Sequence, residues 1–308
     1  MAETTTMAEL EFRVGVIDYA TGIDDLRAVR ETVFVQEQQV PLALEWDELD
    51  PLCVHVIARD DAGTPIGTGR LTPEHKVGRM AVLPAWRGKG VGDGLLLALI
   101  AEAERRRWPA LHLHAQVSAI GFYVRHGFVP VGDRFMEAGI EHQEMHRQLG
   151  GPTAIDTREA AVAIACAVIA ATRRELSIYS RALDPGLFDV PEVLEALRRL
   201  GTRRHRVDVR VLLHDAATPQ RAHAPLIALA QRLPSVFGFR EVNDPADRSY
   251  ASAFVVNDGS GYYFRTLGNR FDGEGAVDAG GRARQLVDSF QPVWERSRIV
   301  TEYRVLGV

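Results

Sequence analysis

The chain has 308 residues, 25% of them charged, and a formal net charge of −5. That length suits two domains of ordinary size, and the acidic balance does not point to a nucleic-acid partner. No apolar run reaches the ~20 residues that cross a bilayer, and two distant cysteines, Cys53 and Cys166, do not support a disulfide framework or a cysteine-rich zinc site; no metal is expected.

The opening residues 1–11 lack the basic and apolar regions of a secretion leader, so a cytoplasmic setting is expected. Next, Asp24 can cap a helix in which Leu26, Val29, Val33 and Val40 recur at roughly helical spacing. Residues 54–58 and 66–71 read as strands around a turn at 60–63, and 76–83 as a third strand. Residues 90–106 form a helix with a strongly apolar face, 111–115 a strand, and 119–126 a short helix ended by Gly127. Segments 128–131 and 142–147 are expected to close a hairpin across a long loop. Leu149-Gly150-Gly151-Pro152-Thr153 breaks regular structure, which divides the chain into 1–150, a linker at 151–155 and 156–308. Beyond it, helices are expected at 157–172, 191–200, 219–232 and 282–294. Strands are expected at 176–180, 207–213, 253–257, 262–266 and 299–305. The alternation argues for a second α/β domain.

Charge is uneven between the halves. Residues 1–155 hold 15 Arg/Lys and 22 Asp/Glu; residues 156–308 hold 21 arginines, 19 Asp/Glu and no lysine. The only lysines are Lys76 and Lys89.

The sharpest motif is Arg87-Gly88-Lys89-Gly90-Val91-Gly92, where a strand runs through a glycine turn into a helix. The first turn of a helix has amide N–H groups without partners, and its dipole favours an anion. Glycines there let a diphosphate approach the backbone. The spacing is not that of a Walker loop, and Leu97 stands where a dinucleotide-binding turn would need its third glycine. The segment resembles the R-x-x-G-x-G acetyl-CoA signature of the GNAT superfamily, carried by Arg87, Gly90 and Gly92. Downstream, Ala119-Ile120-Gly121-Phe122-Tyr123-Val124-Arg125-His126-Gly127-Phe128 resembles the A-x-x-F-Y-x-x-x-G-F stretch of the same superfamily. Four further segments, 29–38, 45–50, 113–116 and 137–142, are similar to the ElaA-type branch. The resemblance covers about residues 12–148, and Asp93-Gly94 departs from it by setting a carboxylate near the expected phosphate.

The resemblance implies an α/β fold, the α+β GNAT arrangement with a mixed central sheet. It also implies direct transfer of acetyl from acetyl-CoA to an amine. Met80, Ala81, Val82, Arg87, Gly88, Lys89, Gly90, Val91, Gly92, Asp93 and Phe122 would hold the cofactor. An amide near Val82 would stabilise the oxyanion, and Tyr123 would protonate the departing thiolate. The base that takes the amine's proton is open among His114, Glu37 and His55. The acidic group Glu37, Glu45, Asp47, Glu48 and Asp50 reads equally as a seat for a cationic amine or as a solvated loop. The expected partners are an amine-bearing small molecule or protein amine and a second copy of the chain, with no membrane.

In the second half, segments 176–180, 183–184, 207–213, 254–258 and 290–294 with Glu274 are loosely similar to phospholipase D-like domains. That chemistry needs a histidine nucleophile with a lysine two residues on; no lysine follows Lys89, and His223 is followed by Ala224 and Pro225. A catalytically silent domain is therefore expected, with His205, His214 and His223 as scattered surface residues rather than an anion site. Two readings stay open for the whole: an acetyltransferase with an accessory domain, or an acetyl-CoA sensor that does not turn over.

Overall fold

The structure is a computed structural model that describes residues 11–303. In chain order the first elements are β1 (Phe12–Ile17), α1 (Tyr19–Arg30), α2 (Leu42–Glu45), β2 (Val54–Asp60), β3 (Pro65–Leu71), β4 (Lys76–Val82), α3 (Val91–Arg105) and β5 (Ala110–Gln116). Then come α4 (Ile120–Arg125), β6 (Val129–Pro130), β7 (Phe135–Glu137), β8 (Ile140–Gln148), β9 (Thr153–Ile155) and α5 (Arg158–Ala171). The remainder comprises β10 (Glu175–Ser180), α6 (Pro191–Gly201), β11 (Asp208–Leu213), α7 (Ala217–Arg221), α8 (Pro225–Arg232), β12 (Phe237–Glu241) and α9 (Pro245–Arg248). It ends with β13 (Ala253–Asn257), β14 (Tyr262–Arg265), β15 (Gly273–Ala276), α10 (Gly280–Arg296) and β16 (Arg298–Ile299).

Contacts group these elements into two compact units. One holds the residues up to His114 together with Arg134–Glu144; the other holds Ala115–Asp133 and the residues from Met145 onward. In the first unit β1, β2, β3 and β4 form an antiparallel run, and β5 joins β4 in parallel at Lys76↔His112 and Val77↔Leu113. The mixed sheet expected for residues 1–150 is therefore present. Helix α3 lies on this run, its Leu95, Leu96, Leu99 and Ile100 side chains buried. Gly67 and Gly69 of β3 make that close approach possible: a Cβ at 67 would stand 2.9 Å from Leu95 Cδ1, and one at 69 would stand 3.0 Å from Leu99 Cδ1. The first helix starts earlier than the sequence reading has it. Asp18, not Asp24, is the cap, its carboxylate accepting from Thr21 N at 3.0 Å. The helix then widens into a π-helical turn at Glu31–Glu37.

In the second unit the sheet order is β16-β12-β11-β10-β13-β14-β15-β9. Strands β10, β11 and β12 are parallel; the others pair antiparallel. Helix α5 is alanine-rich and apolar nearly all round, the pattern of a helix with no solvent face; Ala160, Ala161, Ala163, Ile164, Ala165, Ala167, Val168 and Ile169 are all buried. It packs against α4, α6, β6 and the strands β13 to β15. On the α10 side the core is aromatic, with Tyr179, Phe254, Tyr262 and Phe290.

Four sequence expectations change here. Thr153–Ile155, assigned to the linker, is strand β9, fixed by pairing Ile155↔Gly273 and Ala154↔Glu274. The single helix expected at 219–232 is two, α7 and α8. Pro225 cannot donate to a helix running through it, and His223 sits in the left-handed region at φ 49°. β8 pairs with β6 as expected (Val129↔His146), but also with an unexpected strand, β7 (Phe135↔His142). Of the strand expected at 299–305, only Ile299 is paired as such, and residues 304–305 lie outside the described part, as do residues 1–10 of the opening stretch.

Candidate active site

The turn into α3 is built from two left-handed glycines. Gly88 has φ 75° and Gly90 has φ 85°, and a Cβ at either position would meet nothing within 4 Å. No packing reason therefore keeps these positions small; the left-handed backbone conformation does. Gly90 is the N-cap of α3 and supplies no side-chain hydrogen bond to the first turn, so an external acceptor can serve as the cap. Val91 turns its side chain inward, toward Gly67, and offers only backbone to this turn. Lys89 lies over the Trp86 ring at 4.6 Å, and Asp93 sits half-buried in the first turn.

The signature arginine is already engaged. Arg87 makes a two-pronged bridge to Glu37, Nη1–Oε1 2.8 Å and Nη2–Oε2 2.6 Å, and its Nε donates to the Val82 carbonyl at 3.0 Å. Those hydrogen bonds hold the Glu37 carboxyl below its ordinary range. The sequence reading treats the two residues separately, one as base and one as cofactor ligand, and the structure brings them together as partners.

Strand β4 carries a bulge. Its register against β3 shifts between Thr68 and Arg70, and Arg79 sits there at φ 47°. Past the bulge the ladder resumes: Leu83 N donates to Ile66 O at 2.9 Å. Val82, opposite Gly67, is thus at a position of the antiparallel ladder where N–H and C=O point away from the partner strand. The Arg87 hydrogen bond to its carbonyl agrees with that direction, so the Val82 amide also faces away from β3. Met80 packs its sulfur over Gly69 and, like buried Ala81, can offer only backbone.

Of the acidic group, Glu37, Glu45, Asp47 and Asp50 are paired with arginines rather than free to seat a cation, and only Glu48 is exposed without such a partner among the described residues. Asp50 is fully buried and accepts from Arg30 Nη1 at 2.8 Å and Arg70 Nη1 at 2.7 Å. Glu45 is bonded to Arg30 Nε at 2.5 Å, and Asp47 to Arg70. Burial alone would raise the Asp50 carboxyl, but the two guanidiniums more than offset it and hold it below its ordinary range. Arg79 reaches from the bulge to the carbonyls of Leu44 and Glu45, so the network anchors the irregular part of β4. His55, a candidate base, belongs to this network: it is buried, its Nε2 contacts the Asp50 carbonyl at 2.8 Å, and burial lowers its pKa. It is a structural residue.

His114 is placed differently. Its Nδ1 lies 2.7 Å from Glu137 Oε2 and 3.1 Å from Lys76 Nζ. One nitrogen cannot serve both as donor and acceptor, and the carboxylate takes the proton if the tautomer carries it on Nδ1. Nε2 then keeps a lone pair with no hydrogen-bond partner among the described residues. Burial lowers the Lys76 pKa, and Glu137, which the sequence reading does not single out as chemistry, is the hydrogen-bond partner of His114.

In the second unit, Tyr123 is half-buried on α4 between Phe122 (ring centroids 4.9 Å apart) and Phe128 (6.0 Å). Burial pushes its hydroxyl up to about 12, and that hydroxyl has no hydrogen-bond partner among the described residues. Among the described residues no cluster has the composition of a metal site, and no helix is long and apolar enough to cross a membrane.

Residues 25–149 match the family profile described as an acetyltransferase (GNAT) domain, and the chain belongs to that family and is a GNAT N-acetyltransferase by kind. It is 36% identical over 127 residues to the uncharacterized N-acetyltransferase YjcF of Bacillus subtilis, covering 40% of this chain and 90% of that one. It is 32% identical to the uncharacterized protein YyaT of the same organism, covering 39% and 85%. Among solved structures, Escherichia coli ElaA is 25% identical with a TM-score of 0.40, covering 44% of this chain and 99% of that one. Residues 157–306 match a profile described as a domain of unknown function, DUF7931. The phospholipase D-like likeness of the second half finds no support in these matches; what stands is an α/β domain with one large sheet.

Proposed function

We propose that the chain transfers the acetyl group of acetyl-CoA directly to the primary amine of an acceptor. The observation that carries this is the pair of left-handed glycines at an uncapped helix start, with open space where their side chains would be. The first-turn amides of α3 and the helix dipole would take the cofactor's diphosphate, with Gly88, Lys89, Gly90, Val91 and Gly92 as backbone cradle and Arg87 at its rim. The Val82 amide, turned away from β3, suits the oxyanion of the tetrahedral intermediate.

For proton traffic, His114 is the base favoured by geometry. Glu137 orients it through Nδ1, and Nε2 is left to accept a proton from the ammonium of the acceptor, directly or through a water. Glu37 is the weaker candidate, because Arg87 ties up its carboxylate. Tyr123, neutral throughout the physiological range, returns a proton to the thiolate as it leaves. With four of the five acidic residues paired to arginines, the acceptor is an amine selected by shape rather than by a ring of free carboxylates. The domain boundaries that go with this reading are an acetyltransferase segment at 1–150 and a non-catalytic segment at 156–308.

The test is release of free CoA thiol with a panel of amines. Tyr123→Phe should lower turnover by about 10²-fold, the scale of one acid–base catalyst, while acetyl-CoA still binds. Cofactor binding without turnover on any amine would favour the sensor reading instead, and absence of binding heat with millimolar acetyl-CoA would end both.

A further inference from the structure

Helix α4 is six residues long, far below the ~12–15 at which an isolated helix becomes even marginally stable in water. Its N-terminal end has no side-chain cap. Its hold comes from elsewhere in its unit. One side packs on the alanine-rich α5, whose small side chains permit close approach. The C-terminal end is fixed twice. Gly127, left-handed at φ 80°, lies so near Val277 that a Cβ would stand 2.8 Å from Val277 Cγ2. Arg147 donates from Nη1 to the His126 carbonyl at 2.8 Å and from Nη2 to Asp278 Oδ2 at 2.7 Å. Arg147 is 7% exposed, so its guanidinium is not free to swing, and a buried cation needs the carboxylate it has found. A guanidinium on a last-turn carbonyl also complements the helix dipole.

The same turn bears on Tyr123. The Tyr123 carbonyl accepts from both His126 N (3.0 Å) and Phe128 N (3.2 Å), and its hydroxyl has no hydrogen bond of its own among the described residues. Nothing fixes the phenol except the placement of the helix and its ring neighbours. Resting on the reading of Tyr123 as the proton donor, we propose that the part of the chain from α5 through Asp278 serves the transfer reaction as the support of α4, with Arg147 and Asp278 as positioning residues. The route runs from Asp278 through Arg147 to the His126 carbonyl and the turn that holds Tyr123. A displacement of about 1 Å at a reacting group can cost about 10²-fold in rate, so a support of this kind acts on turnover more than on cofactor affinity.

The experiment uses the full chain with Asp278→Asn, Asp278→Glu and Arg147→Met. Two readouts are taken: CoA-thiol release at varied acetyl-CoA, and amide hydrogen exchange in peptides spanning 119–128. We expect Asp278→Asn and Arg147→Met to lower kcat at least tenfold with KM for acetyl-CoA within twofold. Exchange in 119–128 should quicken at least tenfold, and Asp278→Glu should recover most of both losses. Unchanged exchange, or kcat within twofold of the native value, overturns the proposal. If the native protein turns over no amine, the transfer reading fails by itself and exchange alone decides whether α4 is supported this way. Should Arg147→Met not fold, Asp278→Asn, at a half-exposed carboxylate, carries the test.

Discussion

Replacing Gly90 by alanine separates the two costs that a glycine can hide. The structure offers no steric objection inside the protein, since nothing lies within 4 Å of the new methyl. The folding penalty is then the left-handed backbone alone, about 1–2 kcal/mol for an L-residue. Gly63, in the turn between β2 and β3, has the same φ of 85° and the same empty surroundings, so Gly63→Ala is a control matched in strain and remote from the α3 start. Both variants should lose the same 1–2 kcal/mol in urea unfolding. Only Gly90→Ala should lose acetyl-CoA, because its methyl stands where a diphosphate must meet the amides. A hydrogen bond to a charged group is worth about 1.5–3 kcal/mol, so losing one or its equivalent should weaken binding by about 10- to 100-fold in calorimetry. Equal cofactor affinity in the two variants would refute the assignment of this turn to the diphosphate.

Three other outcomes follow from the charged groups. Asp50→Ala takes a shared carboxylate from Arg30 and Arg70, each of which keeps one other, Glu45 and Asp47 respectively, and should cost about 1–3 kcal/mol in urea unfolding at neutral pH; a loss under about 0.5 kcal/mol would mean that Asp50 adds nothing to the network's stability. Hydrogen bonds from Arg70 hold Asp47 below its ordinary value, and Asp50 is held low as well, so at these two carboxyls the folded state binds fewer protons than the unfolded one. Their stabilisation is present above the ordinary aspartate range near about 4 and drains as pH falls through the folded values; the pH dependence of the urea midpoint should steepen there, and less so in Asp50→Ala. Glu37→Gln releases Arg87 and removes a carboxylate near the glycine turn, so acetyl-CoA should bind about 3- to 10-fold more tightly with kcat within twofold; a large fall in kcat would restore Glu37 as the base.

Local signals carry the sequence reading a long way where periodicity and glycine dominate. The strand–turn–helix around Arg87 and the helix ending at Gly127 follow from patterns within about a dozen residues. What escapes is set by distant partners. Glu37 and Arg87 are fifty positions apart and look like independent functional groups until the fold pairs them. Glu45, Asp47 and Asp50 read as an acidic run because their neutralising arginines, at 30, 70 and 79, come from other elements. Thr153–Ile155 reads as a connection because a three-residue edge strand has no pattern of its own; β15 gives it one. The buried alanines of α5 mark a helix without a solvent face, yet which element fills the space beside it is not written in that segment.

The glycine pair at 150–151 looks like the natural place to divide the chain, and the packing of α4 and β6 argues otherwise. A fragment ending there would keep Tyr123 but shed α5, Val277 and Asp278. Val124, Phe128 and Val129, all buried in the intact chain, would face water as an oily strip beside an unpaired Arg147. Such a piece would be prone to self-association rather than a minimal enzyme, and any cut meant to isolate the catalytic half must bring a substitute cover with it.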